Sequence, residues 1–463
     1  MTRILLLIPD RTYRTHDFMA AAADLGVEVV VGSERRPALA HLMERRWLRV
    51  PLRNPSAAAR AVAAFARERP LDAVVGVDDG STLAAAAVAA ALSLPGNPPD
   101  AVAASHDKER SRRCFAAAGL PTPRFRSWPA HADVREVATT SYYPVVVKPV
   151  DLSGSRGVIR ADSPDDLAAA FARVAALVRS PDVCPPGTSP QRILVEDFIP
   201  GTEVAVEGLL QGGRLHVLAI FDKPDALEGP FFEETIYVTP TRLHEDAQGL
   251  IRETAGAATA ALGLREGPIH AEIRLNDRGA WVLEVAARSI GGLCARTLRF
   301  GAGVPLEDLI LRHAAALPIE TFERERAATG VMMLPIRRAG RLVEVRGQDD
   351  ARAVPGVEGL TVTIPRGAEI VPLPEGDRYL GFMFARGETP AEVEAALREA
   401  HGRLEVVVEQ GLTGAQPPKA DRPACRHHDP TIVSRGAGGL GSPTPARSDR
   451  RLTPSHDAGC DPC

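Results

Sequence analysis

The sequence of 463 residues has few cysteines and little excess charge. Six cysteines are spread over this length, and Cys114, Cys184 and Cys294 stand alone, so a disulfide framework is excluded and reduced thiols are expected. The 55 basic and 59 acidic residues are well mixed and leave a net charge of -4. This balance offers no electrostatic basis for binding nucleic acid or an anionic membrane. A small-molecule function in the cytoplasm is therefore expected.

Long apolar runs and a dinucleotide-binding fingerprint are also missing. The apolar run at positions 4–8 is too short for a signal sequence or a membrane span and favours a first strand. No Gly-x-Gly-x-x-Gly follows this strand, which excludes that phosphate-binding turn at this place. The sequence shows no internal repeat.

The length predicts about three domains, and the pattern along the chain predicts where they lie. Residues 1–100 alternate apolar strands with alanine-rich helices in βαβ order. Residues 101–320 hold the candidate chemistry, and from Ser105 to about Leu317 β-rich runs alternate with two or three helices. Residues 325–410 predict a small α+β domain. Residues 411–463 are rich in Pro, Gly, Ser, Arg and Asp, which predicts a disordered tail. The cysteine and histidine pairs of that tail lack the regular spacing of a zinc module.

Two glutamates and an arginine lie together between Gly267 and Arg288. Apolar alternation on both sides of Asn276–Gly279 predicts a β-hairpin. With a loop of three or five residues, Glu272 and Glu284 face each other with Cβ atoms about 5 Å apart. Magnesium prefers oxygen ligands, and two carboxylates suffice where the phosphates of ATP complete the shell. The hairpin therefore predicts a magnesium-phosphate site, with Arg288 within reach of a phosphoryl or carboxylate oxygen.

A lysine and a glycine-rich turn form a second candidate phosphate site. Lys148 ends an otherwise apolar strand, and Ser153–Gly157 forms a small turn whose amides could surround phosphate oxygens. Two ordinary alternatives remain open. Lys148 can be a strand-end lysine that extends its amine to solvent, and the turn can be a common hairpin turn.

The segment Ile193–Glu207 places acids around a Pro-Gly break between two strands. A backbone hinge there would offer the amide and carbonyl that the edge of adenine requires. Glu203 lies seven residues after Glu196 and could accept hydrogen bonds from ribose hydroxyls. The alternative is a solvated hairpin with surface acids.

The order of these motifs resembles that of the ATP-grasp carboxylate-amine ligases, from about Ser105 to Leu317. Asp107-Lys108 and Ala118–Pro123 resemble the opening signature of the family, and the lysine strand, glycine turn, hinge and hairpin follow in the expected order. The resemblance implies an α/β ATP-grasp fold. It comprises an N-terminal βαβ (pre-ATP-grasp) domain, a central two-lobed core that includes the ATP lid, and a small α+β C-terminal domain.

The resemblance also implies roles for individual residues. Glu272 and Glu284 would bind magnesium, as two ions, with manganese as the alternative metal, and Arg288 would act on the transferred phosphoryl group. Ala286 stands where many members of the family have asparagine as a further metal ligand. The implied ATP-binding residues are Lys108, Lys148, Ser153, Gly154, Ser155, Gly157, Glu196, Asp197, Phe198, Ile199 and Glu203.

Glu284–Gly292 is similar to the branch that contains the L-amino acid ligases, which join two unprotected amino acids. Downstream, Gly330–Pro335, Val354–Gly359 and Tyr379–Ala385 resemble the small C-terminal domain of that branch. The branch also has an acidic substrate-binding strand, which residues 231–240 resemble. The residues that the resemblance implies at the substrate are Glu234, Tyr237, His270, Ser289, Gly291 and Gly292.

Within that set, Glu234 would meet an α-ammonium group, and Tyr237 stands where a histidine is frequent. His270 is equally well explained as a satisfied strand histidine. Gly291 and Gly292 would leave room for a substrate side chain, although glycines also suit a tight turn. Outside the set, Asp78-Asp79 ends a strand, where it predicts a helix cap or a ligand contact at a switch point.

The expected function is a two-step ligation, in which ATP activates a carboxylate as an acyl phosphate and an amine then attacks it. The expected partners are a small-molecule carboxylate and amine, with no nucleic acid and no membrane, and a homodimer remains open. Two alternatives are kept. One is an ATP-grasp step of purine or cofactor synthesis, and the other is an ATP-binding sensor or scaffold without catalysis.

Overall fold

A computed structural model describes residues 2–36, 46–184 and 192–409. The predicted disordered tail and its cysteine and histidine pairs lie outside these residues. In the described ranges, no helix is both long and apolar enough to cross a membrane.

The chain begins with a four-stranded parallel sheet in the order β3-β2-β1-β4. Strand β1 is apolar and buried from Ile4 to Leu7 and has helices on both sides, as expected for a parallel sheet whose two faces are buried. The strands are β1 (Arg3–Leu7), β2 (Glu28–Ser33), β3 (Trp47–Arg49) and β4 (Ala73–Gly76), and the helices are α1 (Thr15–Asp24), α2 (Pro55–Glu68) and α3 (Asp79–Ala91). The βαβ start predicted from the sequence is present.

A smaller antiparallel sheet follows, in the order β5-β8-β6-β7. Helix α7 covers one face of this sheet and buries Leu167, Phe171 and Val174 against it. The elements are α4 (Pro99–His106), α5 (Lys108–Ala117), β5 (Phe125–Trp128), α6 (Val134–Thr139), β6 (Val145–Pro149), β7 (Ile159–Ala161), α7 (Pro164–Leu177) and β8 (Ile193–Asp197).

The largest sheet has eight antiparallel strands in the order β13-β12-β9-β10-β11-β16-β20-β18. Its strands are β9 (Thr202–Gln211), β10 (Arg214–Asp222), β11 (Ile236–Thr239), β12 (Gly267–Asn276), β13 (Gly279–Ala286), β16 (Ala328–Leu334), β18 (Val357–Val362) and β20 (Gly381–Gly387). The remaining elements are α8 (Glu245–Leu262), a 3-10 helix (Cys294–Thr297), β14 (Arg299–Phe300), β15 (Val304–Pro305), α9 (Leu306–Ala314), β17 (Gly340–Arg346), α10 (Gln348–Arg352), β19 (Glu369–Ile370), α11 (Pro390–Gly402) and β21 (Glu405–Glu409).

Two features differ from the sequence-based expectation. The described part of the segment from 105 to 317 contains five α-helices, α5 to α9, where two or three were expected. Strands β16, β18 and β20 belong to the predicted C-terminal domain, yet they extend the central sheet. Backbone hydrogen bonds therefore cross the predicted border near residues 320–325, and the domain borders themselves stay predictions.

Candidate active site

The β12–β13 hairpin brings Glu272 and Glu284 opposite each other. The turn between them contains two residues, because Asn276 pairs directly with Gly279. The facing of the two acids was made conditional on a loop of three or five residues, and this condition is not met. A β-bulge at Leu283 supplies the missing residue and turns Glu284 to the face that carries Glu272.

The hairpin forms one wall of a cavity of about 420 Å³. Residues from the segment after β1, the start of α3, both later sheets and the loop before β20 complete it. The sequence-predicted residues that line this cavity are Lys108, Lys148, Ser153, Gly154, Ser155, Glu196, Asp197, Phe198, Ile199, Glu203, Glu234, Tyr237, His270, Glu272, Glu284, Arg288, Gly291 and Gly292.

Gly157 and Ser289 were also expected at the site, but neither lines the cavity. The Gly157 amide donates to the carbonyl oxygen of Pro374 at 2.8 Å, so it is not directed at a phosphate. The Ser289 hydroxyl is buried and accepts a hydrogen bond from Arg14 Nη1 at 2.5 Å. The expected contacts of Gly157 with ATP and of Ser289 with the substrate are therefore corrected. Gly157 shapes the turn, and Ser289, next to Arg288, connects this segment to Arg14 of the N-terminal domain.

A buried ion-pair group lies beneath the expected nucleotide site. Glu196 accepts from Arg112 Nε at 2.8 Å and Nη2 at 3.1 Å, and it also contacts Lys148. Burial opposes ionisation of Glu196, yet Arg112 and Lys148 lower its pKa to about 2. Burial lowers the pKa of Lys148, which its pairing with Glu196 only partly offsets. The Glu196 carboxylate is therefore bound to two cations, and its expected role in recognising adenine stays a prediction that would need it to accept a further hydrogen bond.

The backbone after β8 has fewer amide and carbonyl groups free to bind a ligand than expected. The Asp197 amide donates to the Arg124 carbonyl at 2.9 Å, and the Phe198 amide donates to the Pro144 carbonyl at 3.0 Å. Arg274 Nη1 donates to the Ile199 carbonyl at 2.7 Å. Among these three hinge residues, the Ile199 amide is the one without an acceptor in the described structure, so it is the donor left for a ligand.

Glu196→Gln is expected to make the unfolding free energy depend less on pH in the acidic range. The folded-state pKa of Glu196 is about 2, below its ordinary 4.5, so its contribution is complete above about pH 4.5 and is lost as the pH falls toward 2. From about pH 5 to about pH 3, the wild type should lose about 2 kcal/mol more unfolding free energy than the variant. Urea unfolding at both pH values measures this difference, and equal losses would contradict the assignment.

Lys223, which the sequence reading missed, connects three acids of the site. Its side chain is 3% exposed, and its Nζ lies 2.7 Å from Glu203 and 3.4 Å from Glu272 and also contacts Glu234. Burial opposes its charge, but the three carboxylates raise the pKa of Lys223 well above its ordinary value. Lys223 comes shortly after the apolar run Leu218–Phe221 of β10, and Lys148 directly follows the apolar run Val145–Val147 of β6. A lysine just after an apolar run was the available signal.

The remaining oxygen of Glu203 also has a cationic partner. Arg274 Nε donates to Glu203 Oε2 at 2.8 Å, while Lys223 contacts Oε1. Both carboxylate oxygens are therefore engaged beneath the cavity. The ribose role of Glu203 stays a prediction that would need one of these oxygens to accept a second hydrogen bond.

The acidic groups fit a magnesium site. Glu203, Glu234 and Glu272 each offer an oxygen within 4.8 Å of the others, and Lys223 already neutralises part of this group. Glu272 and Glu284 are 24% and 28% exposed, so both carboxylates face the cavity. Lys108 Nζ lies 3.3 Å from Glu284 Oε2. Carboxylate oxygens of this kind are the ligands that magnesium prefers.

The expected substrate residues form a hydrogen-bonded row beside the acids. The Tyr237 hydroxyl donates to Glu234 Oε1 at 2.6 Å. Burial raises the pKa of Glu234 even with Lys223 next to it. His270 Nδ1 lies 2.6 Å from Glu207, and although burial opposes its charge, Glu207 and Glu272 raise the pKa of His270 to about 9. His270 is thus a satisfied, protonated histidine that also lines the cavity.

The two glycines after Arg288 differ in the space around them. A Cβ built on Gly291 meets nothing within 4 Å, so this residue borders open space. A Cβ on Gly292 would lie 2.6 Å from the Phe382 ring, and Gly292 has φ +62°. The expected room exists at Gly291, but Phe382 fills it at Gly292.

Gly292→Ala is therefore expected to destabilise the fold by about 2 kcal/mol, because it combines a ring clash with a left-handed backbone. Gly291→Ala is the matched control and should change the unfolding free energy by less than about 0.5 kcal/mol. Urea unfolding of both variants checks the pair. Equal stability of the two variants would contradict the assigned packing of Phe382.

Arg288 is held by the N-terminal domain. Its Nη2 donates to Asp79 Oδ2 at 2.8 Å, and its Nη1 donates to the Ser289 carbonyl at 3.2 Å. Burial opposes the charge of Arg288, but Asp79 and Glu284 raise its pKa above the ordinary value. Asp78 caps α3, as the sequence indicated, while Asp79 contacts the expected phosphoryl-binding arginine.

Three family models match separate parts of this chain. They are an ATP-grasp N-terminal domain at residues 19–96, an ATP-grasp domain at residues 141–297, and L-amino acid ligase C-terminal domain 2 at residues 332–409. The order of the three matches follows the order of the three parts predicted from the sequence.

The chain is also similar to individual ligases. The chain is 28% identical over 233 residues to an alanine–anticapsin ligase of Bacillus subtilis, which covers 48% of this chain and 49% of that protein. The match thus spans about half the length of this curated relative. The crystal structure of an L-amino acid ligase from Bacillus licheniformis is 28% identical, with a TM-score of 0.76 over 89% of this chain and 99% of that one. An N5-carboxyaminoimidazole ribonucleotide synthetase from Thermotoga maritima shares the fold alone, at 15% identity and a TM-score of 0.64 over 88% of this chain and all of that one.

Proposed function

We infer the function from one premise: the chain belongs to the ATP-grasp family, and its residues 332–409 are an L-amino acid ligase C-terminal domain. The α/β fold class predicted from the sequence is thereby confirmed. We propose that the protein is an ATP-dependent carboxylate-amine ligase that joins amino acids or amino-acid-like substrates and releases ADP and phosphate.

This proposal rests on five charged residues that line one cavity: Lys108, Lys148, Glu272, Glu284 and Arg288. A free carboxylate is a poor acylating agent, because oxide is a poor leaving group. Transfer of the γ-phosphoryl group of ATP to the carboxylate gives an acyl phosphate, whose leaving group is phosphate. An amine then attacks the acyl carbon, and an amide forms as phosphate departs.

The residues of this chain contribute positioning and charge. Lys108 and Lys148 lie where they can neutralise phosphate oxygens, and Arg288 can stabilise the phosphoryl group during transfer. Magnesium held by Glu272 and Glu284 would stabilise the charge that develops on the transferred group. The number of ions, expected to be two, stays a prediction.

The turn at Ser153–Ser155 is proposed to close over the phosphates and exclude water, since water would hydrolyse an acyl phosphate. Arg156 beside it donates to the Glu375 carbonyl at 2.9 Å, which links the turn to the segment before β20. On the opposite wall, Glu234 is proposed to meet the ammonium group of an amino-acid substrate.

A ribose-phosphate substrate, as in purine synthesis, fits this cavity less well, because it would need cations beyond the three proposed for ATP. The other two arginines on the described cavity wall have acidic partners: Arg11 lies 3.6 Å from Asp377, and Arg274 lies 2.8 Å from Glu203. An ATP sensor would not need this complete set. Cytoplasmic location and a homodimer stay predictions.

The proposal is tested by supplying ATP, magnesium and amino acids, first singly and then in pairs. Phosphate release is measured, and products are identified by mass spectrometry. Phosphate release matched by the mass of a dipeptide is expected. ATP binding without ADP formation for any pair of amino acids would contradict amino-acid ligation and favour the sensor alternative.

A further inference from the structure

The side chain of Asp79 joins the N-terminal domain to the catalytic core at the expected phosphoryl-binding arginine. Asp79 begins α3, and 209 residues separate it from Arg288 in the sequence. Its Oδ2 accepts from Arg288 Nη2 at 2.8 Å, and both side chains line the cavity. From this geometry we propose that Asp79 is a positioning residue for Arg288 in the ligation reaction. The inference rests on the proposed function.

A guanidinium at the end of a long side chain needs a partner to hold one orientation. The 3.2 Å bond to the Ser289 carbonyl involves the adjacent residue and therefore fixes Arg288 only weakly. The Asp79 contact uses one further N–H. Because a guanidinium has five N–H donors, three remain for phosphoryl or carboxylate oxygens.

Asp79 also keeps Arg288 from pairing with Glu284. Glu284 lies close enough to favour the charged form of Arg288, and it is one of the two proposed metal ligands. Among the other acids that favour the charge of Arg288, Glu284 acts more strongly than Asp78, so loss of the Asp79 charge would draw Arg288 towards Glu284. The arginine would then leave its working position and occupy an oxygen that should hold metal.

The Asp79 carboxylate is held in place by α3 and is charged. Asp79 directly follows the N-cap Asp78, whose side chain and that of Ser81 form a capping box. Burial opposes ionisation of Asp79, but the adjacent Arg288 lowers its pKa to about 2. The carboxylate therefore stays ionised at neutral pH, and the first turn of α3 fixes its place.

The test compares wild type, Asp79→Asn, Asp79→Glu, Arg288→Gln and the double variant Asp79→Asn/Arg288→Gln. Hydroxylamine replaces the amine and displaces phosphate from the acyl phosphate to give a hydroxamate, so activation of the carboxylate is followed without the amine substrate. Asp79→Asn should slow hydroxamate formation about 10- to 100-fold, with the Kd of MgATP nearly unchanged. Asp79→Glu keeps the charge and should retain more activity than Asp79→Asn.

In the Arg288→Gln background, adding Asp79→Asn should have almost no further effect, because both changes remove one interaction. An equal loss in both backgrounds would overturn the proposal, since Asp79 would then act without Arg288. An unchanged rate in Asp79→Asn would also overturn it.

A second readout does not depend on turnover. Phenylglyoxal reacts with accessible guanidinium groups, and mass spectrometry of the peptide that contains Arg288 gives its modification rate. Asp79→Asn should make Arg288 react severalfold faster than in wild type. An unchanged modification rate in Asp79→Asn would overturn the positioning role, even if wild type forms no hydroxamate. If wild type forms no hydroxamate but Arg288 reacts faster in Asp79→Asn, only the proposed function is refuted.

Discussion

Arg288→Ala is expected to lower the rate of ADP formation at least about 1,000-fold while MgATP still binds. An arginine that meets the transferred phosphoryl group acts mainly on the transition state, and removal of such a group costs that order of magnitude. Arg288 lines the cavity beside Glu284 and is 11% exposed, so no bulk water replaces its charge. A coupled ADP assay and a nucleotide-binding titration measure the two quantities.

Arg278→Ala is the matched control for this change. Arg278 lies in the turn of the β12–β13 hairpin, where its guanidinium lies over the ring of Trp281. Its loss should leave the rate within about threefold, because surface substitutions away from the site have small effects. Turnover of Arg288→Ala close to that of Arg278→Ala would refute the role of Arg288.

Lys223→Met is expected to lower the unfolding free energy by about 3–5 kcal/mol, because it leaves buried carboxylates without their cation. Lys223 contacts Glu203, Glu234 and Glu272 and is 3% exposed. The loss should shrink at acidic pH, where Glu234, whose pKa is raised by burial, can take up a proton. Urea unfolding at neutral and acidic pH measures both effects.

Arg242→Met is the control for Lys223, since Arg242 pairs with Asp222 at the same strand end but is 43% exposed. A surface pair of this kind contributes about 1 kcal/mol or less. If Lys223→Met does not fold, Lys223→Met/Glu234→Gln removes one charge of each sign and should recover folded protein. Equal, small losses in Lys223→Met and Arg242→Met would contradict the buried charge group.

The sequence was most informative where neighbouring residues determine the outcome. Alternating apolar residues around Asn276–Gly279 identified the hairpin, and its two acids do face each other. The acids face each other without the loop length on which this was made conditional, because a bulge at Leu283 compensates for a two-residue turn. Alternation alone does not show where a strand bulges. The apolar first strand and the alanine-rich helices likewise indicated the βαβ start.

Contacts between distant segments were not predictable in the same way. Glu196 and Glu203 were identified as nucleotide-binding acids, yet Arg112 and Lys223 take up their oxygens. Gly292 was expected to leave room that Phe382 fills from 90 residues downstream. Each of these outcomes depends on which distant segments pack against each other in the fold, and local patterns do not determine that packing.

The residue roles proposed for ATP, metal and substrate remain predictions. They share one chemical requirement, which is that an oxygen of the substrate carboxylate must leave with phosphate.

The most direct test of the account uses an amino acid whose carboxylate is labelled with oxygen-18, as the acid component of a productive pair. Attack of that carboxylate on the γ-phosphoryl group and later displacement by the amine would move one labelled oxygen into inorganic phosphate. Mass spectrometry of the phosphate should therefore show one oxygen-18 for each dipeptide formed. Phosphate without the label, released alongside the dipeptide, would contradict the acyl-phosphate mechanism.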